Sequence, residues 1–480
     1  MTDHRTPAPT FAVVGHPNKG KSSIVATLSQ NDSIAIALEP GTTRHSQAYD
    51  LTVDGDVLYT LVDTPGFQRP RQLLAWLEAH SLSASDRAET VAAFVNQHRD
   101  DPRFHDECEL LTPLVEGAGI IYVVDGSVPY SAENESEMEI LRWTGRPSLA
   151  LINSIGADDY SEHWQSALGQ FFQVVRKFDA VRAPFNQHLS LLKAFGQLEP
   201  AWEQVLDSAV LHLSGQRAQR KSQTARLIAT ALEEMMAWQE KRTLTAPQSE
   251  AHARDTLAEQ LRQRWYQHQR KREQSLRLAI EALYQHHRVQ RQEAELRWHS
   301  EHDLFSEGSR QAWGVSRTYL TTAGFGAGAI GGAGLDAITL GSSLGTGALV
   351  GGLIGAAGSY FYGDRLTLPV LKIGALRHGL QTASFGPVQD SQFGYVVLGR
   401  AVDHWWHIAH RNHAGRDPLD LEPSDSHWLD QLDSPHRQVI HRALTRCRKQ
   451  RALSSEQRQQ LAETLELAMD LYHQWRTAGG

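Results

Sequence analysis

Apolar and polar residues follow two different patterns along the chain, and the pattern of residues 1–205 is typical of an α/β domain. Short apolar runs bounded by turn residues predict buried strands, whereas apolar residues spaced three and four apart predict helices. Asp54 and Gly55 separate two such runs and predict a hairpin. We expect strands at Phe11–Val14, His45–Val53, Val57–Val62, Gly119–Asp125 and Ser148–Ile152, and helices from Ser22 and over Leu73–Leu77, Ala88–Asn96, Glu135–Trp143 and Phe185–Val205.

Residues 206–315 have a helical pattern with few glycines. Leu257, Leu261 and Trp265 lie four residues apart and mark one face of a long helix, with a break expected near 245–247. The pattern predicts an antiparallel hairpin or coiled coil that forms a stalk or bundle. Its basic residues between Arg262 and Arg272 indicate a solvated helix face, or else a contact with anionic lipid or RNA.

Residues 316–365 form a third region, rich in glycine and apolar side chains. Between Leu320 and Tyr362 the only charged side chain is that of Asp336, and glycines recur every four residues. Such a stripe of small residues lets helices approach closely, as in membrane helix pairs. Aromatic and basic residues flank both ends, which favours a membrane hairpin with both ends on the cytoplasmic side. The alternatives are a buried soluble glycine zipper and a flexible loop.

The last region, 366–480, predicts a small α+β tail. We expect short strands at Leu366–Leu376, Leu380–Phe385 and Tyr395–Leu398, followed by a helix from Arg400 to Asn412. Four histidines recur every three residues on that helix, a spacing that drifts around its surface and favours an amphipathic surface helix over a metal site. A capping box at 454–457 predicts the start of a final helix.

The loop after the first strand has the sequence pattern of a phosphate-binding loop. Residues 15–22 read G-x-x-x-x-G-K-S between a strand and a helix. Its glycines let successive backbone N–H groups converge on an anion, and the helix N-terminus adds partial positive charge. Lys21 is suited to neutralise the β- and γ-phosphates, and the Ser22 hydroxyl is suited to bind Mg²⁺.

The second strand of the hairpin ends in Asp63-Thr64-Pro65-Gly66. An acidic residue at this place can hold the Mg²⁺ water shell, and the backbone N–H of Gly66 can reach a γ-phosphate. Together with the phosphate loop, this predicts a nucleoside triphosphatase.

These motifs, together with Pro40-Gly41-Thr42-Thr43-Arg44, resemble those of the Era- and TrmE-like branch of translation-factor-related GTPases. The resemblance covers about the first 200 residues and implies an α/β P-loop GTPase domain with a mixed, mostly parallel sheet, followed by a mainly helical region. It implies GTP/GDP and Mg²⁺ as ligands, with Ser22, Thr43 and Asp63 at the Mg²⁺, and Asn18 beside a K⁺. It assigns catalysis to Lys21, Thr43 and Gly66. The implied nucleotide contacts are Gly15, Pro17, Asn18, Lys19, Gly20, Lys21, Ser22, Ser23, Thr42, Thr43, Asp63, Gly66 and Asn153.

Phe67 follows Gly66 at the place where Ras-like enzymes carry a water-positioning glutamine. A phenylalanine cannot orient water, so we expect slow intrinsic hydrolysis that uses a cation, another residue or a partner. Gln68 is a less favoured substitute, one residue out of register. The stretch between Phe67 and Gly117 is longer than a minimal switch region, and is interpreted as covering helices or as a lever that reports the nucleotide state.

The base-recognition motif is degenerate. The family has Asn-Lys-x-Asp, whereas this chain has Asn153-Ser154-Ile155-Gly156, which keeps the asparagine and loses the carboxylate that binds guanine. Asp158 or Asp159 is a candidate replacement. GTP is the first choice by resemblance, and ATP or loose specificity stays open. The last family loop falls near Phe178-Asp179-Ala180.

Composition narrows the remaining possibilities. A net charge of -8 argues against a generally basic nucleic-acid binder, two cysteines fit a reducing compartment, and no signal peptide is apparent at the start. The order of the four regions along the chain resembles that of some uncharacterised bacterial GTPases. We therefore expect a GTP-dependent switch at the cytoplasmic face of the inner membrane, with guanine nucleotide, membrane lipid and a second copy of the chain as partners. The alternatives are a soluble RNA or ribosome assembly factor and a nucleotide-binding scaffold without useful hydrolysis.

Overall fold

The computed structural model describes residues 8–30, 43, 45–53, 55–244, 251–286, 369, 371–375, 381–413 and 427–478. These residues form two compact units. The first contains the described residues up to Ala218 with 285–286 and 410–413, and the second contains the rest. The four-part division of the sequence analysis stays a prediction.

A six-stranded sheet forms the centre of the first unit. Its strand order is β2-β3-β1-β4-β5-β6, and all neighbours are parallel except β2 and β3. This confirms the predicted mixed, mostly parallel sheet and its hairpin; the edge strand β6 was not predicted. The strands are β1 (Thr10–Val14), β2 (Gln47–Val53), β3 (Asp56–Asp63), β4 (Gly119–Asp125), β5 (Ser148–Asn153) and β6 (Val174–Lys177).

Helices cover both faces of this sheet because its central strands are apolar on both sides. Phe11 and Val13 face the core made with α1, α7 and the start of α8, whereas Ala12 and Val14 face the core made with α2 to α6. The helices are α1 (Lys21–Leu28), α2 (Pro70–His80), α3 (Arg87–His98), α4 (His105–Val115), α5 (Ala132–Trp143), α6 (Ser161–Leu168), α7 (Phe185–Leu198) and α8 (Pro200–Ala237).

The helices of the first unit differ from the predictions in one boundary and in two additional helices, α4 and α6. The expected helix Phe185–Val205 is two helices, because Pro200 disfavours helical backbone at Glu199, whose φ is -130° and ψ 97°. Helix α4 was not predicted. It has an acidic first turn and carries Pro113 within it, which hides the helical pattern.

The second unit combines helices with a small antiparallel sheet of order β7-β9-β8. Leu261 and Trp265 of its longest helix lie in one apolar core with Tyr395 and Tyr472. The predicted capping box is confirmed, since Ser454 Oγ accepts from the Gln457 N–H at 3.2 Å. The elements after α8 are β7 (Glu240–Leu244), α9 (Ala251–Leu283), β8 (Leu371–Ala375), β9 (Gln381–Phe385), α10 (Gln392–His410), α11 (Ser434–Arg448) and α12 (Ser455–Thr477).

Helix α10 corrects two predictions. Tyr395–Leu398 is not a strand but part of this helix, because a short apolar run that is buried on all sides has the same pattern in either structure. The helix is also not an amphipathic surface element. Every residue from Gln392 to Trp405 is buried.

The buried polar side chains of α10 have partners on neighbouring helices. Arg400 Nε donates to Glu273 Oε1 on α9 at 2.6 Å, and the Tyr472 hydroxyl on α12 donates to Asp403 Oδ1 at 2.5 Å. His404 Nε2 lies 3.3 Å from Glu281 Oε1 on α9, and His404 is fully buried. The first two pairs satisfy polar groups that burial would otherwise destabilise, whereas neither ring nitrogen of His404 has a hydrogen-bond partner among the described residues.

The predicted glycine-rich hairpin at 316–365 lies outside the described residues. In the part of the chain that the structure describes, no helix is both long enough and apolar enough to cross a membrane.

Candidate nucleotide site

The loop between β1 and α1 is shaped by close backbone contacts. Gly15 has φ 144°, and a Cβ there would lie 2.4 Å from the Val123 carbonyl oxygen. Gly20 has φ 83°, and a Cβ there would lie 2.2 Å from Asn153 Nδ2. Between them, Asn18 adopts φ 61°, a left-handed conformation that asparagine tolerates. The loop therefore has the tight, glycine-dependent shape that directs backbone N–H groups toward an anion.

Lys21 folds back over this loop. Its Nζ donates to the carbonyl oxygens of Gly15 at 3.2 Å and His16 at 3.0 Å, and the residue is only 7% exposed. Burial lowers the pKa of Lys21 to about 8, and the carboxylates of Asp63 and Glu137 oppose part of this shift. A phosphate at the loop would favour the charged ammonium in the same way.

Three predicted magnesium ligands meet beside Lys21. The Ser22 hydroxyl donates to Asp63 Oδ2 at 2.7 Å, and the Thr43 hydroxyl donates to the same oxygen at 3.3 Å. Burial raises the pKa of the Asp63 carboxyl, while the Ser22 hydrogen bond and the Lys21 charge lower it.

Asp63 also keeps one oxygen available. Its Oδ1 is buried and forms no hydrogen bond with the described residues. Two hydroxyls and a carboxylate are the hard oxygen donors that Mg²⁺ prefers, and a cation would satisfy the unpaired oxygen. The residues at this place therefore fit Mg²⁺.

Gly66 lies against the phosphate loop. A Cβ there would be 2.5 Å from Pro17 N, so a larger residue would push the two segments apart. The next residue, Phe67, donates its backbone N–H to the Gly15 carbonyl at 3.3 Å and buries its ring fully in the core beneath α2 and α3. A side chain held in the core cannot orient a water at the phosphates. Gln68 is exposed at the surface.

Asn153 joins two loops at the base-recognition end. Its Nδ2 donates to the Lys19 carbonyl at 3.2 Å, and its Oδ1 accepts from the Ala180 N–H at 3.2 Å. The side chain therefore connects the phosphate loop to the loop at 178–180, which the sequence analysis placed at the last family motif.

The degenerate motif after Asn153 has a steric feature. A Cβ at Gly156 would lie 2.8 Å from Ser127 Oγ, so a side chain at this position would require Ser127 to move. Of the two proposed replacements, Asp158 is exposed. Asp159 accepts from the Ser161 N–H at 2.9 Å at the start of α6 and lies 3.8 Å from Lys177 Nζ.

The sequence analysis did not predict that Glu137, a buried carboxylate, contacts His16 of the phosphate-binding loop. Glu137 Oε1 lies 2.9 Å from His16 Nδ1, and its Oε2 accepts from the Tyr122 hydroxyl at 2.8 Å. Both Tyr122 and Glu137 are fully buried. The available signal was its spacing, because Glu137 lies four residues before Leu141 and both therefore project from the same face of α5.

The structure brings the predicted site residues together with one exception. The loop residues from Gly15 to Ser22, Ser23 in the first turn of α1, and the side chains of Thr43, Asp63 and Asn153 lie around one place, and Gly66 adjoins Pro17. Thr42 lies outside the described residues.

Comparison with known families agrees with this geometry. Residues 10–154 match the family described as 50S ribosome-binding GTPase, and residues 165–472 match the family described as Domain of unknown function (DUF3482). The second match covers more than half of the chain. The chain belongs to the DUF3482 family. In this DUF3482 protein, a P-loop GTPase domain similar to that of GTPase Der precedes the family region.

Individual relatives match about a third of the chain or less. GTPase Der of Bifidobacterium longum (strain NCC 2705) is 26% identical over 172 residues, which are 35% of this chain and 31% of the relative. GTPase Der of Lactobacillus helveticus (strain DPC 4571) is 38% identical over 86 residues, 17% of this chain and 20% of the relative. The DUF3482 protein thus matches less than a third of the length of these curated relatives.

A solved structure of an Era variant from Aquifex aeolicus bound to GDP.AlF4- is 17% identical, with a TM-score of 0.28. It covers 39% of the DUF3482 chain and 56% of its own.

We predict that Asn153→Ala lowers both stability and nucleotide affinity. The substitution leaves the Lys19 carbonyl and the Ala180 N–H without their partner, at a cost of about 1–3 kcal/mol for each group that stays buried. Thermal unfolding and calorimetric titration with GTP would measure the two effects. Asn96→Ala, on the exposed face of α3, is the matched control and is expected to leave both unchanged. Wild-type values for Asn153→Ala would contradict the bridging role.

Proposed function

We propose that the chain is a switch that binds GTP and hydrolyses it, and whose nucleotide state is transmitted to the DUF3482 region. The observation that carries the proposal is the convergence of Lys21, Ser22, Thr43 and Asp63 at a glycine-dependent loop. A buried ammonium, two hydroxyls and a carboxylate with a free oxygen form a site for a triphosphate and its magnesium.

Each group then has one task. Lys21 binds the β- and γ-phosphates, and the loop backbone holds the phosphate oxygens. Ser22, Thr43 and Asp63 would hold Mg²⁺, which supplies positive charge against the phosphates when it is bound. By the family resemblance Thr43 lies in a switch loop, so its contact with Asp63 is suited to depend on the nucleotide. The backbone of Gly66 faces the same loop from the end of β3.

The residues around Asn18 support a cation-assisted reaction. Phe67 is held in the core, so hydrolysis needs another source of charge or water orientation. Asn18 is exposed at the tip of the loop, where its side chain is free to coordinate a K⁺ beside the phosphates. Such an ion would neutralise charge that develops as the γ-phosphoryl group departs.

We predict slow GTP hydrolysis that increases by about tenfold or more when K⁺ replaces Na⁺ at equal ionic strength, because a fixed charge at the phosphates lowers the barrier. Asn18→Ala is expected to abolish the difference between the two ions, whereas Asn96→Ala keeps it. Phosphate release measured in both salts tests this. Equal turnover in K⁺ and Na⁺ for the wild-type chain would exclude the cation role.

Guanine is the base that the family similarity supports, and the degenerate motif makes its selection weak. Asn153 is already engaged with Lys19 and Ala180, and Gly156 supplies no carboxylate. A site that lacks a buried acceptor for the guanine N–H groups loses several kcal/mol of discrimination, by order of magnitude. We propose GTP as the ligand, with ATP as a measurable competitor.

We predict that Lys21→Ala abolishes binding of purine triphosphates, because it removes the cation that faces the phosphates. Lys193→Ala, an exposed lysine on α7, is the matched control and should bind as the wild type does. Calorimetric titrations with Mg-GTP and Mg-ATP in parallel measure affinity and base preference together. Unchanged affinity in Lys21→Ala would contradict the site assignment.

Two partners compete for the effector role. The glycine-rich stretch between Leu320 and Tyr362, which bears one charge, supports a proposal that the chain acts at the cytoplasmic face of the inner membrane. The family description that matches residues 10–154 supports a second candidate, a ribosome-associated switch. A nucleotide-binding scaffold without hydrolysis is the outcome if turnover is absent.

A single fractionation separates these candidates. When a cell lysate is layered on a density gradient and centrifuged, we predict that the chain sediments with the membrane vesicles. Detergent should release it from them. Deletion of residues 320–362 should abolish this behaviour, because the deleted stretch provides the apolar surface. Cosedimentation with 50S subunits that requires a non-hydrolysable GTP analogue would favour the ribosome instead. A pool that stays at the top of the gradient would exclude the membrane proposal.

A further inference from the structure

Three side chains of types that can bind a metal ion lie close together in the first unit, outside the candidate nucleotide site. The candidate ligand atoms of His45, His105 and Glu109 all lie within 4.8 Å of one another. His45 Nδ1 is 3.9 Å from Glu109 Oε1, and the rings of His45 and His105 are edge to face with centroids 5.2 Å apart. His105 and Glu109 are four residues apart on α4, so both project from one face of that helix.

We propose that His45, His105 and Glu109 bind a divalent transition-metal ion, with Zn²⁺ as the ion that this donor set favours. Two imidazoles and one carboxylate with an open fourth position are a recurrent zinc donor set. The site is chemically distinct from the one at Ser22, Thr43 and Asp63, which offers only hard oxygens. Imidazole nitrogens favour Zn²⁺ over Mg²⁺ at His45 and His105, whereas the oxygens of Ser22, Thr43 and Asp63 favour Mg²⁺.

The geometry needs only side-chain movement to reach coordination distance. Tetrahedral zinc with bonds of about 2.0–2.1 Å places its ligand atoms about 3.3 Å apart, so the three atoms must move closer by about 1 Å. The His45 side chain is 76% exposed and that of Glu109 is 31% exposed, so both can rotate without disturbing the core.

The backbone around the site already orients the carboxylate. The Ser46 N–H donates to Glu109 Oε2 at 2.8 Å, and the Ser46 hydroxyl donates to the Glu109 carbonyl at 2.8 Å. These bonds leave Oε1 facing His45. Hydrogen-bonded support of a ligating carboxylate is the usual second layer of a metal site, and it lowers the cost of ordering the ligands.

The position of α4 gives the ion a structural effect. His45 follows Thr43 by two residues, so the ion would fasten the chain after Thr43 to α4. Glu107, between the two ligands of that helix, accepts the backbone N–H groups of Gln68 at 2.9 Å and Arg69 at 2.5 Å. Helix α4 therefore contacts the segments that follow both Thr43 and Gly66. A link between metal and nucleotide rests on the proposed function, whereas metal binding itself does not.

The test is to titrate the purified, metal-free full chain with Co²⁺ while the visible absorption of the bound Co²⁺ is measured. Zn²⁺ is then added to displace the Co²⁺. We expect one equivalent of Co²⁺ with the strong absorption of a tetrahedral site. Because the chain has 24 histidines, stoichiometry has to be compared between variants. His45→Ala, His105→Ala and Glu109→Gln should each lose that equivalent or bind it at least about tenfold more weakly, since even loss of a second-layer partner costs about 10–100-fold. Glu109→Gln keeps an acceptor for Ser46.

His163→Ala, an exposed histidine on α6, is the matched control and should bind like the wild type. His45→Ala alters an exposed side chain, so we expect this variant to fold. Circular dichroism would show whether it is folded. Lys21→Ala should retain the metal although it does not bind nucleotide, which keeps failure of this site distinct from failure of the nucleotide site. No tetrahedral Co²⁺ in the wild type, or the same stoichiometry and affinity in His45→Ala and His105→Ala, would overturn the proposal.

Discussion

The pairing of β1 with β3 on one side and β4 on the other determines where the groups of the candidate nucleotide site lie. Val13 is in register with Asp63, so the strand that leads into the phosphate loop ends beside the carboxylate. Val14 pairs with Tyr122, which places the end of β4 under the same loop. Parallel strands deliver their carboxyl ends to one edge of the sheet, and ligands bind there in open α/β folds. The close approach of Gly15 to the Val123 carbonyl follows from this register.

Features that depend on neighbours in sequence could be predicted from the sequence. The strand–loop–helix at residues 10–28, the antiparallel pairing of β2 with β3 and the capping box at Ser454 are each specified within a few residues, and the structure has all three. The place of Asp63 was also predictable, because the motif couples it to the end of a strand. For these elements local backbone preference and tertiary structure agree, as expected of a sequence that folds to one state.

Features that depend on distant residues could not be predicted. Glu137 contacts His16 across 121 positions of sequence, and its type alone indicates an exposed helix residue. Tyr395–Leu398 has a pattern that fits either a strand or a helix buried on all sides, and only the surrounding core decides between them. His45 and His105 come together because α4 lies beside the chain that leads into β2. Periodicity contains no information about such contacts.

The paired polar groups inside the second unit also constrain how this sequence can diverge. Arg400 with Glu273, and Asp403 with Tyr472, are held among apolar side chains. Loss of one member of a buried ion pair strands the other in a low-dielectric interior, at a cost of about 3–5 kcal/mol, while replacement of both by apolar residues is often neutral. For Arg400 and Glu273, which form such an ion pair, substitutions are therefore expected to be correlated, whereas Asp403 and Tyr472 share a hydrogen bond. We expect sequences that descend from this one to keep both Arg400 and Glu273 or to exchange both, so that covariation across an alignment would reveal the contact between α9 and α10.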